Sequence, residues 1–163
     1  MRIAGMKHSL DTDGPGLRFV ILLQGCEHKC PGCYNPNAQD TGGGVDFPAE
    51  ELLDQMLSDP ATVGLSFSGG EPFMQAADCA TLARTAHNAG LNVWCRTGYT
   101  FETLLAAGTP SQRELLREID VLVDGPFVLS EATLDLPWRQ SRNQRLINVP
   151  ESLALEKAVP MNI

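Results

Sequence analysis

The feature that most restricts this chain is a strand-like apolar run that leads directly into three closely spaced cysteines. Residues 17–23 read Leu-Arg-Phe-Val-Ile-Leu-Leu, and the run stops at Gly25. It is too short for a buried helix and shows no alternation, the pattern of a strand covered on both faces. Parallel strands of that kind need crossover helices, and the rest of the chain supplies them. Pro48 opens a helix whose stripe is Leu52, Leu53, Met56 and Leu57. Val63 to Phe67 is the next strand, and Ser68-Gly69-Gly70-Glu71-Pro72 the turn after it. A second helix runs from Met74 to Asn88, with Cys79, Leu82, Ala83 and Ala86 on one face and Gly90 closing it. Leu91 to Cys95 forms a third strand, helical signals resume near Thr100, and Ser111 with Glu114 reads as a capping box. Ile119 to Val123 is a fourth strand and Leu146 to Val149 a fifth.

Alternating strands and helices predict an α/β fold with a parallel sheet and helices outside it. Right-handed crossovers wound one way give an arc of barrel, with too few units to close eight strands. The expectation is an incomplete, open-sided parallel (β/α) barrel forming one domain over residues 1–163, with a doubly wound open sheet as the alternative. The last dozen residues are expected to be loose. A net charge of -8, with only scattered arginines at Arg139, Arg142 and Arg145, excludes a nucleic-acid partner, which would require a basic face. No apolar run approaches a membrane span, and Met1-Arg2-Ile3-Ala4-Gly5 lacks the core of a signal peptide, so a cytoplasmic protein without membrane contact is expected.

Five cysteines in such a chain do not suggest a disulfide framework. Three of them fall within the eight residues from Cys26 to Cys33, in the segment Gly25-Cys26-Glu27-His28-Lys29-Cys30-Pro31-Gly32-Cys33-Tyr34-Asn35, spaced C-x3-C-x2-C. That crowding reads as metal or cluster ligation. Three thiolates hold three irons of a cubane and leave the fourth open to a substrate. The competing reading is a zinc knot in which His28 completes a Cys3His set. Against it stand the unusual spacing and the position of the loop at the C-terminal end of a buried strand, where α/β folds place chemistry. Cys79 and Cys95 fit core stripes. Gly69 and Gly70 let a ligand approach the backbone, and Glu71 offers an acceptor for an ammonium group. Asp13-Gly14-Pro15-Gly16 reads as a tight turn feeding the first strand. His8 and His87 read as surface or capping residues.

The cysteine spacing after a first strand resembles the signature of the radical S-adenosylmethionine (SAM) superfamily. The resemblance implies that Cys26, Cys30 and Cys33 bind one 4Fe–4S cluster and that SAM chelates its fourth iron. Most members carry an aromatic residue before the third cysteine, where this chain has Gly32. Gly32-Cys33-Tyr34-Asn35 is instead similar to one branch, the activases of anaerobic ribonucleotide reductase. Ser68-Gly69-Gly70-Glu71 resembles the glycine-rich motif that holds the amino group of SAM. Asp13 to Gly16 resembles a segment of glycyl-radical activases. Trp94-Cys95-Arg96-Thr97-Gly98-Tyr99, Val121 to Gly125 and Trp138 to Gln144 resemble segments of the reductase activases, so the likeness spans roughly residues 11–149. The implied cofactor site is Gly32, Cys33, Tyr34, Ser68, Gly69, Gly70, Glu71, Thr97 and Asp124. For Asp124, a role as turn acceptor stays open beside the SAM pocket. The implied activity is SAM cleavage to a 5′-deoxyadenosyl radical that removes a hydrogen from a glycine of the reductase large subunit, with flavodoxin or ferredoxin as electron donor. The alternatives are an activase of pyruvate formate-lyase type, a radical SAM enzyme acting on a small molecule such as a deazapurine precursor, and a zinc-binding interaction module.

Overall fold

A computed structural model describes residues 1–161 of the chain. Seven strands form one open sheet in the order β3-β1-β2-β4-β5-β6-β7. They are β1 (Arg2–Leu10), β2 (Leu17–Leu23), β3 (Val45–Asp46), β4 (Gly64–Gly69), β5 (Asn92–Arg96), β6 (Val121–Asp124) and β7 (Arg145–Asn148). The apolar run is β2, and Phe19, Val20, Ile21 and Leu23 are fully buried in it. Four strands, β2, β4, β5 and β6, are parallel neighbours, as the alternation of elements predicts.

The flanks differ from the expectation. β1 precedes β2 as an antiparallel hairpin partner. It escapes sequence reading because most of its residues are half-exposed, with Ile3 alone buried. The fifth strand, β7, lies where expected but runs antiparallel to β6. The connection over residues 125–144 holds only a short 3-10 turn, Leu129–Glu131, so no crossover helix returns the chain in the parallel sense.

Side-chain alternation separates the two faces of the sheet. Phe19, Ile21, Leu23, Leu65, Phe67, Val93, Cys95, Leu122 and Ile147 join one core with residues of α1 (Ala49–Leu57), α2 (Ala76–Asn88), α3 (Phe101–Ala107), α4 (Pro110–Arg117) and α5 (Val149–Leu155). On the opposite face Trp94, Val121, Val123 and Leu146 pack against Trp138 and Met161. All five helices contribute to the first core, which is not the two-sided arrangement of a doubly wound sheet. On the helix-free face, buried Arg18 donates to Ser66 Oγ at 2.6 Å, to Leu65 O at 3.0 Å and to Pro15 O at 3.1 Å. Desolvation lowers its pKa to about 10. These bonds fasten the Asp13–Gly16 turn to the sheet.

Two further corrections are local. The capping box is Thr109 with Gln112, not Ser111 with Glu114, because Pro110 takes the first helical position and sets the cap before it. The C-terminal segment is held rather than loose as far as Met161, whose amide donates to Leu146 O at 2.8 Å. Ser152 Oγ likewise accepts from Val159 N at 2.8 Å. The last two positions of that segment lie outside the described residues. Among the described residues no helix is long and apolar enough to cross a membrane.

Candidate functional site

The loops that leave the C-terminal ends of β2, β4 and β5 meet above the sheet. The loop after β2 closes on itself: Gly25 N donates to Ala38 O at 2.6 Å and Cys26 N to Gln39 O at 3.1 Å. Lys29 and Gly32 have positive φ of 50° and 74°, which coils the segment tightly enough for Cys33 N to reach Cys30 O at 3.2 Å. Cys26, Cys30 and Cys33 are half-exposed and line one pocket together with Gly69, Gly70, Thr97 and Gly98. Cys33 Sγ accepts the Asn35 backbone amide at 3.4 Å. Burial pushes the Cys26 thiol above its ordinary pKa.

Gly32, the departure from the superfamily pattern, has a structural cause. A Cβ there would lie 2.8 Å from Leu129 Cδ1, and the φ of 74° disfavours any side chain. Leu129 belongs to the β6–β7 connection, which thus touches the cysteine loop at Gly32. Tyr34 follows suit, its exposed ring lying 5.0 Å from that of Phe127.

The turn after β4 packs against the cysteine loop backbone to backbone. Gly70 N donates to Leu23 O and Glu71 N to Gly25 O, both at 2.7 Å. A Cβ on Gly70 would collide with Gly25 O, so this glycine is required by the meeting of the two loops. Glu71 is 1% exposed and its carboxylate is fully engaged. Oε1 accepts from Thr97 Oγ1 at 2.7 Å, from Gly98 N at 2.8 Å and from His28 Nε2 at 2.6 Å. Oε2 accepts from Phe73 N at 3.0 Å. A carboxylate only accepts, so Nε2 carries the imidazole proton. This bond raises the pKa of His28. The pocket therefore meets the backbone of Gly69 and Gly70, while the Glu71 side chain serves the protein's own donors.

The other sequence candidates separate. Thr97 lines the pocket. Ser68 lines an adjoining cavity of about 360 Å³ on the helix-free face, with Tyr34 and Arg96. Asp124 is not part of the group: its buried carboxylate accepts from Phe101 N at 2.8 Å and from Arg145 at 3.0 and 2.6 Å. Cys79 and Cys95 are buried in the core, and desolvation pushes both thiols up. Gly98 and Gln144 lie in the segments Trp94–Tyr99 and Trp138–Gln144 that the resemblance marks, but neither is among the implied cofactor residues. Gln144 lines the pocket and joins Gly125 O to the Gln140 and Ser141 amides.

The donor set suits a cluster. Three thiols face one pocket, with an amide already directed at one sulfur. Among the described residues no three His, Cys, Asp or Glu side chains converge as a single ion requires. A cubane places its thiolates on separate irons and needs no such convergence. His28 Nε2 is held by Glu71, which counts against a Cys3His knot that uses this nitrogen.

A family model described as "4Fe-4S single cluster domain" matches residues 12–147, which sets the chain in the class of single-cluster iron–sulfur proteins. The anaerobic ribonucleoside-triphosphate reductase-activating protein of Vibrio cholerae is 36% identical over 143 residues, covering 82% of this chain and 88% of its own. The protein of that name from Escherichia coli is 36% identical over 142 residues, with 82% and 89% covered. The one from Haemophilus influenzae is 32% identical over 142 residues, with 81% and 88% covered. The chain belongs to the family of anaerobic ribonucleoside-triphosphate reductase-activating proteins.

Proposed function

We propose that this protein activates an anaerobic ribonucleotide reductase by installing a glycyl radical on its large subunit. Cys26, Cys30 and Cys33 hold one 4Fe–4S cluster, and SAM binds beside it. The observation that carries this reading is the sharing of one pocket by the three half-exposed thiols and the Gly69–Gly70 turn. When bound, the reduced cluster and SAM supply a 5′-deoxyadenosyl radical able to take a hydrogen atom from a backbone glycine.

The chain's own residues bind and orient. The Asn35 amide orients the Cys33 sulfur. Gly69 and Gly70 offer backbone without side chains to the amino end of SAM, and Glu71 fixes that turn through Phe73, Thr97 and Gly98. The β6–β7 connection, through Phe127 and Leu129, packs against one side of the cysteine loop at Tyr34 and Gly32. We read the open sheet as the arc of an incomplete barrel, with the reductase loop completing the enclosure. A cytoplasmic flavodoxin or ferredoxin is the proposed electron donor.

The test is anaerobic reconstitution followed by mixing with SAM, a strong reductant and the reductase. The expected result is one deoxyadenosine per glycyl radical. The electron paramagnetic resonance doublet collapses when the partner glycine is deuterated at its α-carbon. Deoxyadenosine formation without a radical on the reductase, together with consumption of a deazapurine precursor, transfers the assignment to small-molecule chemistry.

A further inference from the structure

His28 lies between the first two cysteines of the triad, yet its ring is directed at the next loop. Its Nε2 donates to Glu71 Oε1 at 2.6 Å. The ring packs edge-on against Tyr99, with centroids 4.5 Å apart and planes at 75°. It also fills the space above Gly98, where a Cβ would lie 2.5 Å from the imidazole. Three features thus seat one side chain: an acceptor, an aromatic wall and a missing methyl group. Glu71 is held by Thr97, Gly98 and Phe73, so the seat is rigid. Among the described residues, this is the side-chain hydrogen bond that ties the stretch from Cys26 to Cys33 to another loop. Glu27, Lys29, Pro31 and Gly32 of that stretch are exposed.

We propose that His28 is a positioning residue that pegs the cluster-bearing loop to the Gly-Gly-Glu-Pro turn through Glu71. The inference rests on the reading of this pocket as a cluster-plus-SAM site. A ligand that must reach both the open iron and the Gly69–Gly70 backbone spans two loops. Its affinity depends on their spacing being set before it arrives, because any freedom between them is lost on binding. The three cysteines suffice to take up the cluster. The peg sets where that cluster stands relative to the turn.

The experiment compares reconstituted wild-type protein with His28→Leu, His28→Gln and Gly98→Ala. It reads iron content, the resonance spectrum of the reduced cluster with and without SAM, and the SAM dissociation constant by equilibrium dialysis. Leu fills the space but cannot donate. The terminal amide of Gln reaches about as far as the imidazole Nε2 and donates to Glu71. Gly98→Ala displaces the ring and leaves every charge unchanged. His28→Leu and Gly98→Ala should keep their iron and bind SAM about tenfold more weakly, the worth of one charge-assisted hydrogen bond. The spectral change on adding SAM should be reduced in both. His28→Gln should recover most of the affinity and of the spectral change. SAM binding by iron-loaded His28→Leu within about twofold of wild type overturns the peg. So does a His28→Gln protein that takes up iron yet binds SAM as weakly as the Leu variant. If His28→Leu fails to take up iron, His28→Gln decides by its affinity against wild type: iron-loaded His28→Gln that binds SAM about tenfold more weakly overturns the peg. A wild-type protein that takes up no cluster, or binds no SAM, instead refutes the reading of the site itself.

Discussion

Asp124 separates a structural role from a cofactor role, and the size of the effect follows from its contacts. Its carboxylate is 1% exposed and has two kinds of partner. One is the amide of Phe101, the first residue of α3, at 2.8 Å. The other is Arg145, at 3.0 and 2.6 Å. Breaking a buried pair by removing one partner costs about 3–5 kcal/mol. Here the arginine side chain is 39% exposed and keeps Glu102 at 3.0 and 2.7 Å, so the loss for Asp124→Asn shrinks to about 2 kcal/mol. Asp124→Ala also strands the Phe101 amide, which adds about 1 kcal/mol. At about 2–4 °C per kcal/mol for a chain of this size, Asn should lower the melting temperature by about 4–8 °C and Ala by about 6–12 °C. The assay is anaerobic thermal unfolding of cluster-free protein, followed by SAM binding to the reconstituted variants. SAM affinity should stay near wild type wherever the fold persists. Melting of the Ala variant within about 2 °C of wild type, with SAM affinity lost, would refute the structural account and place Asp124 at the cofactor.

Cys26→Ala, Cys30→Ala and Cys33→Ala should each abolish deoxyadenosine formation, whereas Cys79→Ala and Cys95→Ala should retain about four irons per chain and their activity, as read by iron assay and product analysis. In cluster-free protein at pH 8, iodoacetamide should label three thiols and spare Cys79 and Cys95 until the chain is unfolded, because burial raises both pKa values; mass spectrometry gives the count. Gly32→Ala should destabilise by about 1–2 kcal/mol, and adding Leu129→Ala should relieve the collision but not the backbone strain, a partial rescue measurable by denaturant titration. Glu102 is held below its ordinary pKa by Arg145, so its contribution is complete above the unfolded value and is lost as pH falls through the lowered folded one. Glu102→Gln should therefore cost less than about 1 kcal/mol at neutral pH, given its exposure, and nothing once both states are protonated.

What the sequence by itself determined was local in origin. The β2 run has the composition of a doubly covered strand, and burial of Phe19, Val20, Ile21 and Leu23 follows from it. The C-x3-C-x2-C spacing confines three thiols to one loop whatever surrounds it. The stripe of α2 is buried as read, and that of α1 at Leu52 and Met56, because a helix repeats within a few residues, whereas Leu57 at the end of α1 is exposed. Other features depend on residues distant in the chain. β1 lies next to the edge, paired on its outer side only with the two-residue β3, so weak apolarity suffices. β7 takes its direction from a connection without a helix. The sequence marks Gly32 as unusual, but only the fold brings Leu129 against it. Glu71 looks like an acceptor free for a ligand until the fold surrounds it with Thr97, Gly98, Phe73 and His28. A buried carboxylate must have its oxygens satisfied, and which donors satisfy them is settled only when separate loops close on one another.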